Sequence, residues 1–161
     1  MDRKTYRTLV AEQAVGVAEL FPWDVQDQLQ AGTDLLLLDI RCPDEFSVAH
    51  IAGSTNVPRG ILELAVDYGY EETVPELVEA RQRPIVVICR SGNRSILAAS
   101  TLQLMGFERV ASLRTGLRGW NDYELPLVAA DGTELDADRV DELFRARVTA
   151  AQLGPESSQA A

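Results

Sequence analysis

Cysteine and histidine are scarce in this chain of 161 residues, which holds two of the former, Cys42 and Cys89, and one of the latter, His50. A disulfide framework cannot be its main staple, and four Cys and His ligands for a zinc ion cannot be gathered from one copy. No metal is expected. Positive charge is short as well: 15 Lys and Arg stand against 25 Asp and Glu, for a formal charge of −10. Binding to a phosphate backbone needs a basic surface, so nucleic acid is not an expected partner. No stretch approaches the roughly eighteen consecutive apolar residues of a membrane span. The opening residues MDRKTYRTLVAEQAV lack the apolar segment of a secretory signal. The expected setting is the cytoplasm, without membrane attachment.

What is present is an ordinary globular composition, 46% hydrophobic and 25% charged, long enough for one domain with a real core. Two continuous apolar runs, DLLLLDI (Asp34–Ile40) and PIVVIC (Pro84–Cys89), predict strands covered on both faces. Shorter strands are predicted in GVAEL, in GSTNVPRG up to Pro58, and in RVASL. Helices are predicted over 3–14, in FPWDVQDQLQAG with Pro early and Gly32 as the stop, and briefly after Pro43. Further helices are predicted over 61–83 in two pieces broken near Asp67–Tyr70, and in SILAASTLQLMG up to Gly106. Val140, Leu143, Phe144 and Val148 recur near helical period and predict a helix over Asp136–Leu153. The tail GPESSQAA has the composition of a disordered segment. Strands alternating with helices imply an α/β domain with a mainly parallel sheet, in which ligands bind beyond the carboxyl ends of the strands.

Cys89 stands at such an end, and the loop CRSGNRS follows it. A cysteine is a nucleophile only as thiolate, and three features of this loop favour the anion. Arg90 and Arg94 bring positive charge, the helix beginning near Ser95 directs free N–H groups at the loop, and Gly92 lets successive amides curl inward. A buried, inert thiol beside solvated arginines is the bland alternative. Strand, Gly-containing loop, paired arginines and helix start in register outweigh it.

The chain resembles a single-domain rhodanese, a member of the sulfurtransferase family, over roughly Val15 to Val128. The segments that carry the resemblance are LLLLDIRCPDEFSVAHIAGSTNVP, IVVICRSGNRSILAASTLQLMGF and VASLRTGLRGWNDYELPL. It implies a three-layer α/β fold with a mainly parallel five-stranded sheet flanked by helices, here over 15–130. Residues 1–14 would add an N-terminal helical extension, and 131–161 a C-terminal helix and tail. It also implies a mechanism. The Cys89 thiolate would take sulfur from a donor such as thiosulfate, hold it as a persulfide, and pass it to cyanide or a thiol. Cys89, Arg90, Ser91, Gly92, Asn93 and Arg94 would form the active loop, and neither half-reaction demands a metal or organic cofactor. A cysteine phosphatase or arsenate reductase on the same scaffold has five residues between cysteine and arginine, whereas Cys89 and Arg94 have four between them. A catalytically silent binding module is the other alternative, and the preserved cysteine and basic loop argue against it.

Asp39, Arg41, Glu45 and His50 match the family's Asp-x-Arg and His-Ile-x-Gly pieces. They read as a structural ion-pair and hydrogen-bond network rather than a general base with its supports. Cys42 could approach Cys89 as a resolving thiol, although an inert residue is the simpler reading. Arg59 could extend a basic rim. Trp120 reads as packing under the loop, with Thr115 where a first glycine is common in the family. The C-terminal apolar stripe predicts docking on the domain, with a homodimer as the second reading.

Overall fold

Alternation inside the two long apolar runs sorts their side chains onto opposite faces of a sheet. Leu36 and Leu38 join Ile85, Val87 and Cys89 in one buried cluster, while Leu37 joins Val86 and Ile88 in another. Each face therefore needs a helical cover, and the crossover connections supply it.

The computed structural model describes residues 2–155. Met1 and 156–161, which include most of the tail GPESSQAA, lie outside the described residues. In chain order the elements are α1 (Tyr6–Ala14), β1 (Ala18–Leu20), α2 (Pro22–Gln30), β2 (Leu36–Asp39), α3 (Pro43–Val48) and β3 (Thr55–Asn56). A 3-10 turn (Arg59–Ile61) leads into α4 (Leu62–Ala65), α5 (Pro75–Val78), β4 (Ile85–Ile88), α6 (Arg94–Leu104), β5 (Val110–Leu113), α7 (Gly116–Asp122), α8 (Ala137–Phe144) and α9 (Ala150–Leu153). The sheet order is β1-β5-β4-β2-β3, and every strand pairing is parallel. The expected α/β architecture is thus present. Among the described residues no helix is long and apolar enough to cross a membrane.

One face is covered by α6, with α1 packed against it, and by α4 and α5. The other is covered by α2, α7 and α8 through Val25, Leu117, Trp120, Val140 and Phe144. β4 lies between β2 and β5, so the loop after Ile88 emerges at the middle of the sheet's carboxyl edge.

Three stretches differ from the sequence reading. Between 61 and 83 only two single-turn helices form. Gly69 at φ 103° breaks the first stretch, and Val74 is held extended by the proline that follows it. The helix predicted over Asp136–Leu153 ends at Phe144. Arg145 turns extended, and Thr149 starts α9 with a side-chain cap on the Gln152 amide. Val140 and Phe144 reach the core but Val148 stays exposed, so nothing holds the middle of that stretch helical. Finally α7 forms where no helix is predicted, its start hidden behind two glycines.

Because Phe144 is 6% exposed and anchors α8, Phe144→Ala should lower the unfolding free energy by about 3 kcal/mol. Urea titration measures this, and a negligible change would mean that α8 is undocked in solution.

Candidate active site

Cys89 directly follows β4, with its side chain in the cluster on the α6 face and 1% exposed. Its sulfur occupies a position that a capping side chain usually fills. The N-cap residue of α6 is Asn93, whose side chain caps nothing, and the second residue of the helix, Ser95, donates its N–H to Cys89 Sγ at 3.4 Å. Gly92 N–H donates to the same sulfur at 3.1 Å. The thiol itself points at Ser95 Oγ, 3.3 Å away, and Ser95 Oγ pairs with Ser112 Oγ at 2.7 Å. Either serine hydroxyl can be the donor in that pair. Rotation of both would leave two amides and a hydroxyl converging on an ionised sulfur.

The loop can take this shape because of close backbone contact with the β5–α7 turn. Gly92 lies at φ 88°, and a Cβ there would stand 2.9 Å from Thr115 N. At Gly116 a Cβ would stand 2.5 Å from the carbonyl carbon and oxygen of Arg90. The start of α7 then holds the loop from below, Leu117 N–H donating to Cys89 O and Arg118 N–H to Arg90 O, both at 3.0 Å. Thr115 is forced left-handed at φ 69°, a conformation a β-branched residue adopts only with strain.

Arg94 does not point freely into the loop. Its guanidinium makes a two-pronged contact with Glu45 of α3, Nη1 to Oε1 and Nη2 to Oε2, each at 3.0 Å. These bonds hold the Glu45 carboxyl below the usual carboxylate range against the opposing effect of partial burial, and they raise Arg94 above its ordinary value. Glu45 Oε1 also accepts the Cys42 N–H at 3.4 Å, which places the exposed Cys42 on the same side of Arg94. Arg90 is half-buried, and its Nε is buried with no hydrogen-bond partner among the described residues. Ser91 and Asn93 are exposed.

The remaining residues of the sequence reading are tied to other parts of the fold. Asp39 and Arg41 are fully buried and paired, with Arg41 Nη2 at 2.8 Å from Asp39 Oδ2 and 2.6 Å from Ala49 O. His50 contacts Phe46 O through Nδ1 at 2.8 Å, stacks on the Phe46 ring, and pairs with Val128 through its backbone. Arg59 is bound to Glu63 and to Thr101 Oγ1 of α6. Trp120 is buried beside Leu113 and Leu117 and donates to Pro126 O at 3.0 Å.

The sequence reading missed three side chains at the site. Ser95 entered it only as the start of the helix behind the loop, without its side chain. Ser112 could have been found, since it is the one hydroxyl in an otherwise apolar strand and pairs with Val87 on the face that carries Cys89. Tyr6 of α1 had no signal. Although its side chain is 54% exposed, partial burial raises its phenol above the ordinary value, with Cys89 adding to the effect and Arg94 opposing it.

Residues 22–123 match the family model for the rhodanese-like domain. A sulfurtransferase of Allochromatium vinosum is 31% identical over 116 residues, covering 72% of this chain and 99% of that protein. Among solved structures, a possible tyrosine phosphatase of unknown function from Rhodopseudomonas palustris superposes with a TM-score of 0.71 at 30% identity, over 78% of this chain and 96% of that one. The polysulfide-sulfur transferase homodimer of Wolinella succinogenes gives 0.59 at 26% identity, over 77% and 87%.

Two outcomes follow from this geometry. Thr115→Gly relieves the left-handed strain and should raise the unfolding free energy by about 1 kcal/mol in denaturant titration. The Glu45–Arg94 pair stabilises the fold fully above the ordinary glutamate value of about 4.3, and its contribution disappears as pH falls through the lower folded-state value of Glu45. The stability advantage of the wild type over Glu45→Gln should therefore shrink in thermal melts below about pH 4. A constant difference across that range would show that the pair does not form in solution.

Proposed function

Because the chain belongs to the rhodanese-like family, we propose that it works as a sulfurtransferase that carries sulfane sulfur on Cys89. The observation that carries the reading is the convergence of Gly92 N–H, Ser95 N–H and the Ser95–Ser112 hydroxyl pair on one buried sulfur. In the first step the Cys89 thiolate attacks the outer sulfur of a donor such as thiosulfate. The donor's S–S bond breaks, sulfite leaves with the electron pair, and Cys89 becomes a persulfide. In the second step a nucleophile, cyanide in the assay or a thiol in the cell, attacks the outer sulfur and returns the electron pair to Cys89. The scheme is covalent catalysis with two half-reactions.

The loop amides, preorganised by the contact with α7, hold negative charge on either sulfur without rearrangement. Arg94, tied to Glu45, shapes the wall, and Arg90 supplies the cation not engaged by a carboxylate. Asp39, Arg41, His50 and Trp120 serve as supports. The two steps as written use neither Cys42 nor Arg59.

The name of the Rhodopseudomonas palustris neighbour favours a second reading, phosphate-ester hydrolysis. The four-residue spacing from Cys89 to Arg94 argues against it, as does the engagement of Arg94 by a carboxylate. A silent binding module has no use for a sulfur surrounded by donors.

Intact mass spectrometry after exposure to thiosulfate should show a one-sulfur gain that is absent in Cys89→Ser, with thiocyanate formed on adding cyanide. Ser95→Ala should slow donor cleavage by at least about tenfold, the size expected for losing a hydrogen bond to a charged group. No gain from any sulfane donor would remove the sulfur-carrier reading, and release of phosphate from an aryl phosphate would replace it.

A further inference from the structure

One buried hydroxyl does nothing for the packing of the fold. Ser112 lies in β5, where Val110, Ala111 and Leu113 make up an otherwise apolar strand, and it is 0% exposed. It stands opposite Val87 of β4, on the face that carries Cys89. Alanine or valine would fill this place without the cost of burying a hydroxyl. Among the described residues the Ser112 side chain has one hydrogen-bond partner, Ser95 Oγ at 2.7 Å. Ser95 Oγ in turn lies 3.3 Å from Cys89 Sγ. Ser95 is also 0% exposed, so solvent reaches neither hydroxyl. Cys89 Sγ, Ser95 Oγ and Ser112 Oγ thus form a row that ends inside the protein and carries no proton out. Its hydroxyls can only turn.

Hydrogens can be counted along the row. A persulfide leaves none on Cys89 Sγ, and neither does a thiolate, so two hydroxyl hydrogens serve two contacts. One arrangement binds both: Ser112 donates to Ser95 Oγ, and Ser95 donates to the sulfur. A neutral thiol brings a third hydrogen, and one of the three is then left without an acceptor in the row. With Ser112 donating from behind, the Ser95 hydrogen is directed at the sulfur and its bond is strengthened by polarisation. We propose that Ser112 is a positioning residue for sulfur delivery: acting through Ser95, it readies Cys89 Sγ to leave with the electron pair when an acceptor takes the outer sulfur. This rests on the sulfur-carrier reading of Cys89. The step balances. The acceptor nucleophile bonds to the outer sulfur, the bond from that sulfur to Cys89 Sγ breaks, and the electron pair stays on Sγ as thiolate. No proton crosses the row, and no oxidant or reductant is consumed. In such exchanges a sulfur that holds charge more easily leaves faster, while the same sulfur is a weaker nucleophile once ionised. Ser112 therefore favours delivery and does not speed attack by thiolate already formed.

The test uses full-length protein carrying Ser112→Ala, and the pair Ser112→Thr and Ser112→Val, which share a shape and differ in the hydroxyl. Loading by thiosulfate is followed as sulfite release in single turnovers across pH. Discharge of the donor-free persulfide protein by cyanide is followed at one fixed pH. In Ser112→Ala discharge should slow by about fivefold, and the midpoint of the loading rate against pH should move upward. On the alkaline plateau of that profile, loading should be no slower than in the wild type. Ser112→Thr should discharge about fivefold faster than Ser112→Val, since both add the same bulk and only one keeps the hydroxyl. Equal slowing of loading and discharge with an unmoved midpoint would make Ser112 a packing residue and overturn the inference. Unchanged discharge in Ser112→Ala, or equal discharge by the Thr and Val proteins, overturns it too. The sulfur-carrier reading stands in all three cases. A wild type that no sulfane donor loads overturns both.

Discussion

Beneath the sulfur two stretches of backbone touch, and the geometry of the site depends on that contact. Gly116 lies so close to the carbonyls of Cys89 and Arg90 that no side chain fits between them. Gly92 meets Thr115 and Leu113 with almost as little room. The loop after β4 is therefore pressed onto the start of α7, which anchors its carbonyls. With the carbonyls held from below, the amides of Gly92 and Ser95 are left facing the sulfur. The left-handed backbone of Thr115 is the strain that accompanies this fit.

Charge is distributed with equal economy. The chain has ten more acidic than basic residues, and several of its arginines are occupied by carboxylates. Asp39 and Arg41 neutralise each other in the interior at the end of β2, where an unpaired member would be costly. Glu45 and Arg94 do the same across the mouth of the loop, joining the crossover that follows β2 to the one that follows β4. The polar character around Cys89 thus comes chiefly from amides and hydroxyls fixed in direction, with Arg90 as a cation that no carboxylate engages among the described residues. Fixed dipoles need no rearrangement when charge moves onto a sulfur.

Much of this arrangement is legible along the chain. The run PIVVIC reads directly as a strand covered on both faces, and its alternation puts Cys89 with Val87 and Ile85 on the α6 side. The glycine, the two arginines and the helix start are local features, so a linear reading finds them. Partnerships across the fold are another matter. Glu45 is 49 positions from Arg94, and nothing in the spacing says that the arginine of the loop is held by a carboxylate. Ser112 is found only once the β4–β5 register is known, and Tyr6 only once α1 lies against α6. Helix was over-read where apolar residues recur without an anchor, as at Val148. It was missed at α7, whose glycines serve close approach rather than a turn.

Two of the flanking helices, α1 and α8, lie outside the stretch that matches the family. Neither contributes a strand to the sheet or an atom to the ring of donors around Cys89. The ring of donors around the sulfur is held by the sheet and its crossovers, while α8 is bound to the same core through Val140 and Phe144. A substitution in either helix therefore acts on Cys89 only through packing, never by removing a donor from its sulfur.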